Sequence, residues 1–244
     1  MMRVLRPILA GLLLIVVGFG VVLAFPQLLF AHHVRHGVYD VWSDRPIPPQ
    51  IAPVLDDVSR RLARSEIDEP SRGERVFLCN DDWRLALFSK RFSGKLGGVA
   101  DNEISRSVFI RHADVAANTV IRPDGQSAGP DRPLSYYIAH ELTHILEGDV
   151  VGRAMHFTEP SWLLEGYADY VGKGGAFDLA ENRRLLLAND PRLDFRRSGL
   201  YRRYHLEVAE LIERRRIGVR QLLAHPPTEA SALAMVEADA GLGR

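Results

Sequence analysis

The amino-acid sequence predicts an α+β protein, with a small mixed sheet followed by a mainly helical C-terminal part. Strand-like segments lie mostly before residue 112, and segments with helical periodicity dominate after residue 134. Strands followed by helices, rather than strands alternating with helices, are typical of the α+β class. A long apolar run at the N-terminus stands apart from both parts.

The composition is that of an ordinary folded domain. Of the 244 residues, 46% are hydrophobic and 25% are charged, as in globular rather than disordered proteins. The 31 basic residues balance the 31 acidic ones, so no basic excess indicates a nucleic-acid partner. The single cysteine, Cys79, excludes an intrachain disulfide framework. Its apolar neighbours favour a buried thiol over a reactive one.

The apolar N-terminal run predicts a membrane anchor. No charged side chain occurs from Pro7 to Ala31, and about 20 apolar residues can cross a bilayer as a helix. A cleaved signal peptide is the alternative, but its apolar core is shorter, roughly 7–15 residues. We therefore predict an anchor at 1–31, with a transmembrane helix at about 7–30. Basic residues before the run favour a cytoplasmic N-terminus and a domain outside the cytoplasm.

A juxtamembrane segment is predicted at 32–45, and one folded domain at 46–244. The segment contains HHVRH at 32–36, where no carboxylate follows at helical spacing. We interpret these histidines as a solvated stretch, although a metal site is the alternative. The following GVYDVWSDRPI alternates apolar and polar residues, which indicates a strand.

Periodicity and turn residues predict the elements of the domain. A helix is expected over 49–64, and strands are expected at 75–79, near 97–100 and at 107–111, with a turn at Asp101-Asn102. Further helices are predicted at 134–147, 162–171, 178–188, 200–216, 217–224 and 228–240. Gly148 is expected to end the first of these, and Thr228 is expected to cap the last.

The motif HELTH, at residues 140–144, carries the strongest chemical signal. On a helix, His140 and His144 are one turn apart and project from the same face, so both imidazoles can reach one zinc ion. Glu141 can lie beside the metal and accept a proton from water that the metal activates. Such a short motif can arise by chance, but the surrounding helix is apolar, and buried histidines need partners.

A second motif, WLLEGYADY at 162–170, supplies a third ligand. Glu165 lies in an apolar, aromatic helix, where a carboxylate needs a cation or a proton. Asp169 follows one turn later and could accept the second N–H of a ligand histidine.

Together, HELTH and WLLEGYADY resemble the gluzincin, or peptidase-MA-like, zinc metallopeptidases. The resemblance implies a zincin-like domain with one Zn²⁺ per chain, bound by His140, His144 and Glu165. It implies that Glu141 is the general base and that Asp169 supports a ligand histidine. The metzincin pattern does not fit, because no histidine occurs at 145–151.

The resemblance implies two further parts of the site. An edge strand would bind the substrate, and its candidates are Gly98, Val99 and Ala100; an ordinary hairpin strand is an equal alternative. A tyrosine would stabilise the oxyanion. Tyr201 is the candidate for this role, with Tyr204 and His205 as rivals.

These features predict a membrane-anchored zinc peptidase, an endopeptidase by elimination, that acts on a peptide or protein substrate. Two imidazoles and a carboxylate favour zinc over iron, cobalt or manganese. Two alternatives stay open. One is a non-catalytic metal-binding or envelope interaction domain on the same scaffold, against which the intact Glu141 argues. The other is an anchored interaction module in which HELTH is coincidental.

Overall fold

The structure, a computed structural model, describes residues 2–89, 96–153 and 158–239, with side chains described from Ala10 onward. Within these ranges the chain forms a mixed sheet and a set of helices, which confirms the predicted α+β class.

A five-stranded sheet forms the centre of the fold, in the order β1-β2-β3-β5-β4. Its strands are β1 His32–His36, β2 Tyr39–Ser43, β3 Glu74–Cys79, β4 Gly98–Asp101 and β5 Ser107–Arg111. The strands β2, β3 and β5 run parallel, whereas β1 and β4 run antiparallel to their neighbours and form the two edges. A short ribbon of β6 Ala113–Asp114 and β7 Thr119–Val120 follows.

Ten α-helices occur within the described residues. They are α1 Met2–Ala24, α2 Ile51–Leu62, α3 Asp82–Ser89, α4 Leu134–Val151, α5 Ser161–Lys173, α6 Leu179–Leu187, α7 Phe195–Ser198, α8 Arg202–Ala209, α9 Val219–Ala224 and α10 Glu229–Asp239. A π-helical turn, Glu210–Arg214, follows α8. The backbone N–H of Ser231 donates to the Thr228 hydroxyl at 3.2 Å, which confirms the predicted cap of α10.

Successive strand residues point to opposite faces of the sheet, and each face packs in its own hydrophobic cluster. Aliphatic residues of one face, Val76, Leu78, Val108 and Ile110 among them, pack in one core with residues of α2 and α4. The opposite face presents Phe77 and Phe109, whose rings stack at 5.0 Å between centroids. Cys79 is buried in this aromatic cluster, as the sequence indicated, and burial raises the pKa of its thiol.

The structure differs from the predicted elements in several places. The segment at 32–45 forms β1, which was not predicted, and β2, which confirms the predicted strand, so the sheet begins before residue 46. The helix α3 was not predicted. Gly148 lies inside α4 rather than at its end. A Cβ at Gly148 would lie 2.7 Å from Oδ1 of Asn102, so glycine serves close packing here.

The predicted transmembrane helix is not found. Among the residues searched, no helix is both long enough and apolar enough to cross a bilayer. The predicted anchor, and the single-pass membrane localisation that rested on it, are therefore corrected.

Candidate metal centre

Two adjacent helices bring three ligand-type side chains together. His140 and His144 lie one turn apart on α4, and Glu165 reaches them from α5. The Nε2 atom of His140 lies 3.3 Å from Oε2 of Glu165, and the Nε2 atom of His144 lies 3.7 Å from the same oxygen. All three ligand atoms lie within 4.8 Å of one another. The group could therefore hold a metal ion.

The helix α4 is buried along most of its length, so its polar side chains lie inside the protein. Every residue from Leu134 to Gly148 is buried, and a helix that is apolar all round lies in a protein core. His140 and His144 are therefore shielded from water, whereas the Glu165 side chain is 29% exposed. Access to the three ligand atoms is thus from the Glu165 side.

Opposite charges stabilise the ionised form of Glu165. Burial disfavours the carboxylate, but the imidazoles of His140 and His144 outweigh this effect, so the pKa of Glu165 falls well below its usual range. Burial likewise disfavours a charged His144. The carboxylates of Glu147 and Glu165 outweigh it and raise the pKa of the imidazole. The carboxylates and the imidazoles of the site therefore stabilise each other's charged forms.

Glu141 lies between the ligand helix and the edge strand β4. It is buried, and this burial raises the pKa of its carboxyl group. The backbone N–H of Ala100 hydrogen-bonds to the Glu141 carboxylate and favours its charged form. A Cβ added at Gly98 would lie 2.8 Å from Cγ of Glu141. The glycine therefore allows β4 to approach the carboxylate closely.

The free edge of β4 faces the same site. The N–H of Arg111 donates to the carbonyl of Gly97 at 2.9 Å, and the register pairs Gly98 with Ile110. Because hydrogen-bonded and non-hydrogen-bonded pairs alternate in an antiparallel ladder, the backbone groups of Gly98 and Ala100 point away from β5. Beyond the strand, the Asn102 side-chain N–H donates to the carbonyl of His144 at 2.8 Å.

A groove of about 460 Å³ joins the edge strand to the ligand cluster. Its lining includes the predicted residues Gly98, Val99, Ala100, His140, Glu141, His144, Glu165 and Tyr201. The structure therefore brings together eight residues that the sequence analysis had placed in one site. Tyr204 and His205, the rivals of Tyr201, do not line the described part of the groove.

Tyr201 lies directly before α8 and covers one ligand. Its ring stacks on His140 with centroids 5.7 Å apart and on Phe195 with centroids 4.8 Å apart. Burial, followed by the nearby carboxylate of Glu165, raises the pKa of the Tyr201 phenol. The phenol therefore stays protonated at neutral pH, and it hydrogen-bonds to the Glu165 carboxylate.

Asp169 has other partners than the one predicted. Its two oxygens accept hydrogen bonds from the Tyr136 hydroxyl at 2.5 Å and from Nδ1 of His205 at 2.8 Å. Burial disfavours the charge of Asp169, but the contact with His205 outweighs it and lowers the pKa to about 2. Asp169 therefore joins α5 to α4 and α8, and its predicted role as the support of a ligand histidine is corrected.

The carboxylate that does contact a ligand histidine was missed in the sequence. Nδ1 of His144 lies 2.7 Å from Oε2 of Glu147, and the Glu147 side chain is fully buried. The signal was available, since a residue three positions after His144 shares its helix face.

No family model, curated protein or solved structure matches the chain. Its functional interpretation rests on the geometry of an α+β fold with a two-histidine, one-carboxylate cluster.

Proposed function

We propose that the protein is a zinc-dependent peptidase that resembles the gluzincins. The observation that carries the proposal is the convergence of His140, His144 and Glu165 on one point, with Glu141 beside them in an accessible groove. A purely structural metal site has no use for a further carboxylate next to its ligands, whereas hydrolysis needs a base there.

The donor set fits zinc. Two imidazole nitrogens and one carboxylate oxygen, with access on one side, are the ligands of catalytic zinc sites. The Oε2 atom of Glu165 supports this fit, since it is buried and faces the Nε2 atoms of His140 and His144 at 3.3 Å and 3.7 Å. A carboxylate oxygen in that state is costly unless a cation lies against it.

The side chains of the groove would divide the work of peptide hydrolysis. When bound, a zinc ion supplies Lewis acidity, which polarises a carbonyl group and acidifies a water molecule. Glu141 would accept a proton from the attacking water and pass it to the leaving amine. Tyr201 would donate a hydrogen bond to the oxygen that becomes negative in the transition state.

The edge strand β4 would hold the substrate in an extended conformation. Backbone pairing at a free sheet edge is a general way of binding peptides. The N–H of Ala100 is engaged with Glu141. The N–H and carbonyl of Gly98 and the carbonyl of Ala100 are therefore the groups that would pair with a peptide. This arrangement supports a peptide or protein as the substrate.

The first test is metal content of the full-length chain, by elemental analysis of the wild type and of His144→Ala. We expect about one zinc per chain, lost in the variant. A library of quenched fluorescent peptides then tests hydrolysis, with Glu141→Gln as the matched inactive control. No zinc in the wild type after dialysis against the metal contradicts the proposal. A zinc-loaded protein that cleaves no peptide favours a non-catalytic binding domain instead.

A further inference from the structure

His144 is contacted from behind by a carboxylate that belongs to the same helix. Nδ1 of His144 and Oε2 of Glu147 lie 2.7 Å apart. The Glu147 side chain has no exposed surface. Removing an ionised carboxylate from water is costly unless a hydrogen-bond partner or an opposite charge compensates it. The contact is therefore a fixed part of the site rather than a surface pairing that comes and goes.

The chemistry of this contact decides which nitrogen of His144 carries the proton. An ionised carboxylate only accepts hydrogen bonds, so Nδ1 must donate. The lone pair of a neutral imidazole then lies on Nε2, the atom that faces Glu165 at 3.7 Å. A carboxylate behind a ligand histidine also makes the opposite nitrogen a stronger donor to a metal.

The other ligand histidine lacks such support. Nδ1 of His140 is buried without a hydrogen-bond partner in the described parts of the chain. Its orientation comes from packing between the rings of Tyr136 and Tyr201, at 5.5 Å and 5.7 Å between centroids. Asp169 uses its oxygens for Tyr136 and His205. The two histidines are thus held by different means.

From this asymmetry we infer that Glu147 is the positioning residue of the metal centre. It holds His144 as the Nδ1–H tautomer and presents Nε2 to the ion. The inference rests on the proposed function for the identity of that ion as zinc. Glu147 makes no contact with substrate in this role. Asp169 differs from it, because its carboxylate links α5 to Tyr136 of α4 and His205 of α8.

Zinc affinity of the full-length chain tests the inference without any substrate. The affinity is measured by competition with a chromophoric chelator in the wild type, Glu147→Gln and Glu147→Leu. Asp169→Asn is the matched control, because it neutralises another buried carboxylate near the site. We expect Glu147→Leu to bind zinc roughly 10–100-fold more weakly. The loss in Glu147→Gln is smaller, because the amide keeps an acceptor oxygen. Asp169→Asn should stay close to the wild type.

A second readout does not depend on whether the Glu147 variants fold. Heteronuclear NMR of the histidine side-chain nitrogens of the zinc-loaded wild type reports the tautomer, and His144→Ala identifies the resonances of His144 by their loss. We expect a proton on Nδ1. A proton on Nε2 overturns the inference, as does wild-type affinity in a folded Glu147→Leu.

These outcomes separate the inference from the proposed function. A wild-type chain that binds no zinc overturns both. A chain that shows the Glu147 effect but hydrolyses no peptide contradicts the peptidase proposal and supports the inference.

Discussion

The closeness of β4 to Glu141 can be tested with one added methyl group, by the substitution Gly98→Ala. A Cβ at this position would lie 2.8 Å from Cγ, 2.9 Å from Oε1 and 3.1 Å from Cδ of Glu141. Carbon atoms in favourable contact lie about 3.5–4.0 Å apart. The overlap with Cγ is therefore relieved only if the two groups separate by roughly 0.7–1.2 Å. Because Glu141 is a side chain and β4 is fixed in the sheet, the carboxylate is the part that moves.

This displacement should reduce the rate of hydrolysis and leave the metal in place. A misplacement of about 1 Å in a reacting group can cost roughly 10²-fold in rate, so we expect kcat of Gly98→Ala to fall by about that factor. The three atoms nearest to the added Cβ all belong to Glu141 rather than to a ligand, so zinc content should be unchanged. The assay is steady-state hydrolysis of the best library peptide, with elemental analysis of the same sample.

Gly73→Ala is the matched control for the added methyl group. A Cβ at Gly73 would meet only the carbonyl oxygen of Val38, at 3.9 Å, an ordinary contact. This variant should keep wild-type kcat. The reasoning is refuted if folded Gly98→Ala also keeps wild-type kcat. It is equally refuted if the activity is lost together with the zinc, since the substitution would then act on the ligands rather than on the base.

Three further predictions concern the charges and donors around the site. Tyr201→Phe should lower kcat by roughly 10²–10³-fold if the phenol stabilises the oxyanion, at unchanged zinc content; an unaltered kcat would assign that role to another group. Burial raises the pKa of Glu141 above 4.5, and the base must be ionised, so kcat/KM should increase with pH through that raised pKa; a pH profile that is flat above 4.5 would contradict this. Glu207, fully buried in α8 with Arg203 3.4 Å away, has its pKa raised by burial to about 8. The protonated form of Glu207 contributes its full stabilisation below about pH 4.5. This contribution to the free energy of unfolding is lost as the pH rises from about 4.5 through about 8, and the total loss is about 5 kcal/mol. The increase in Tm caused by Glu207→Gln should therefore be larger at pH 9 than at pH 5, and equal increases at the two pH values would refute the assignment.

The ligand pair was predictable because helix geometry alone fixes it. Residues four apart on a helix share a face, so His140 and His144 converge wherever α4 lies in the fold. Glu165 was predictable from its chemistry, since a carboxylate in an apolar helix needs a cation or a proton. The strands at 75–79 and 107–111 were predictable because buried parallel strands are continuous apolar runs.

The partners of Asp169 could not be read from local spacing. They depend on how α5 lies against α4 and α8, and contacts between helices far apart in sequence leave no periodic signal. The strand β1 was missed for a related reason. Its sequence HHVRH has one aliphatic residue, and it occupies a sheet edge where its residues are only half-buried or exposed. The helix α3 has only eight residues, too few for a clear periodicity.

The contacts between β4 and α4 have a consequence for how substrate enters. Ala100 hydrogen-bonds to Glu141, and Asn102 hydrogen-bonds to the carbonyl of His144. The strand β4 and the residue that follows it are thus joined to α4 at two points. The strand and the helix should therefore move together as one rigid body. Opening of the groove is then left to the side of Tyr201, which lines the groove and stacks on the exposed ring of Phe195.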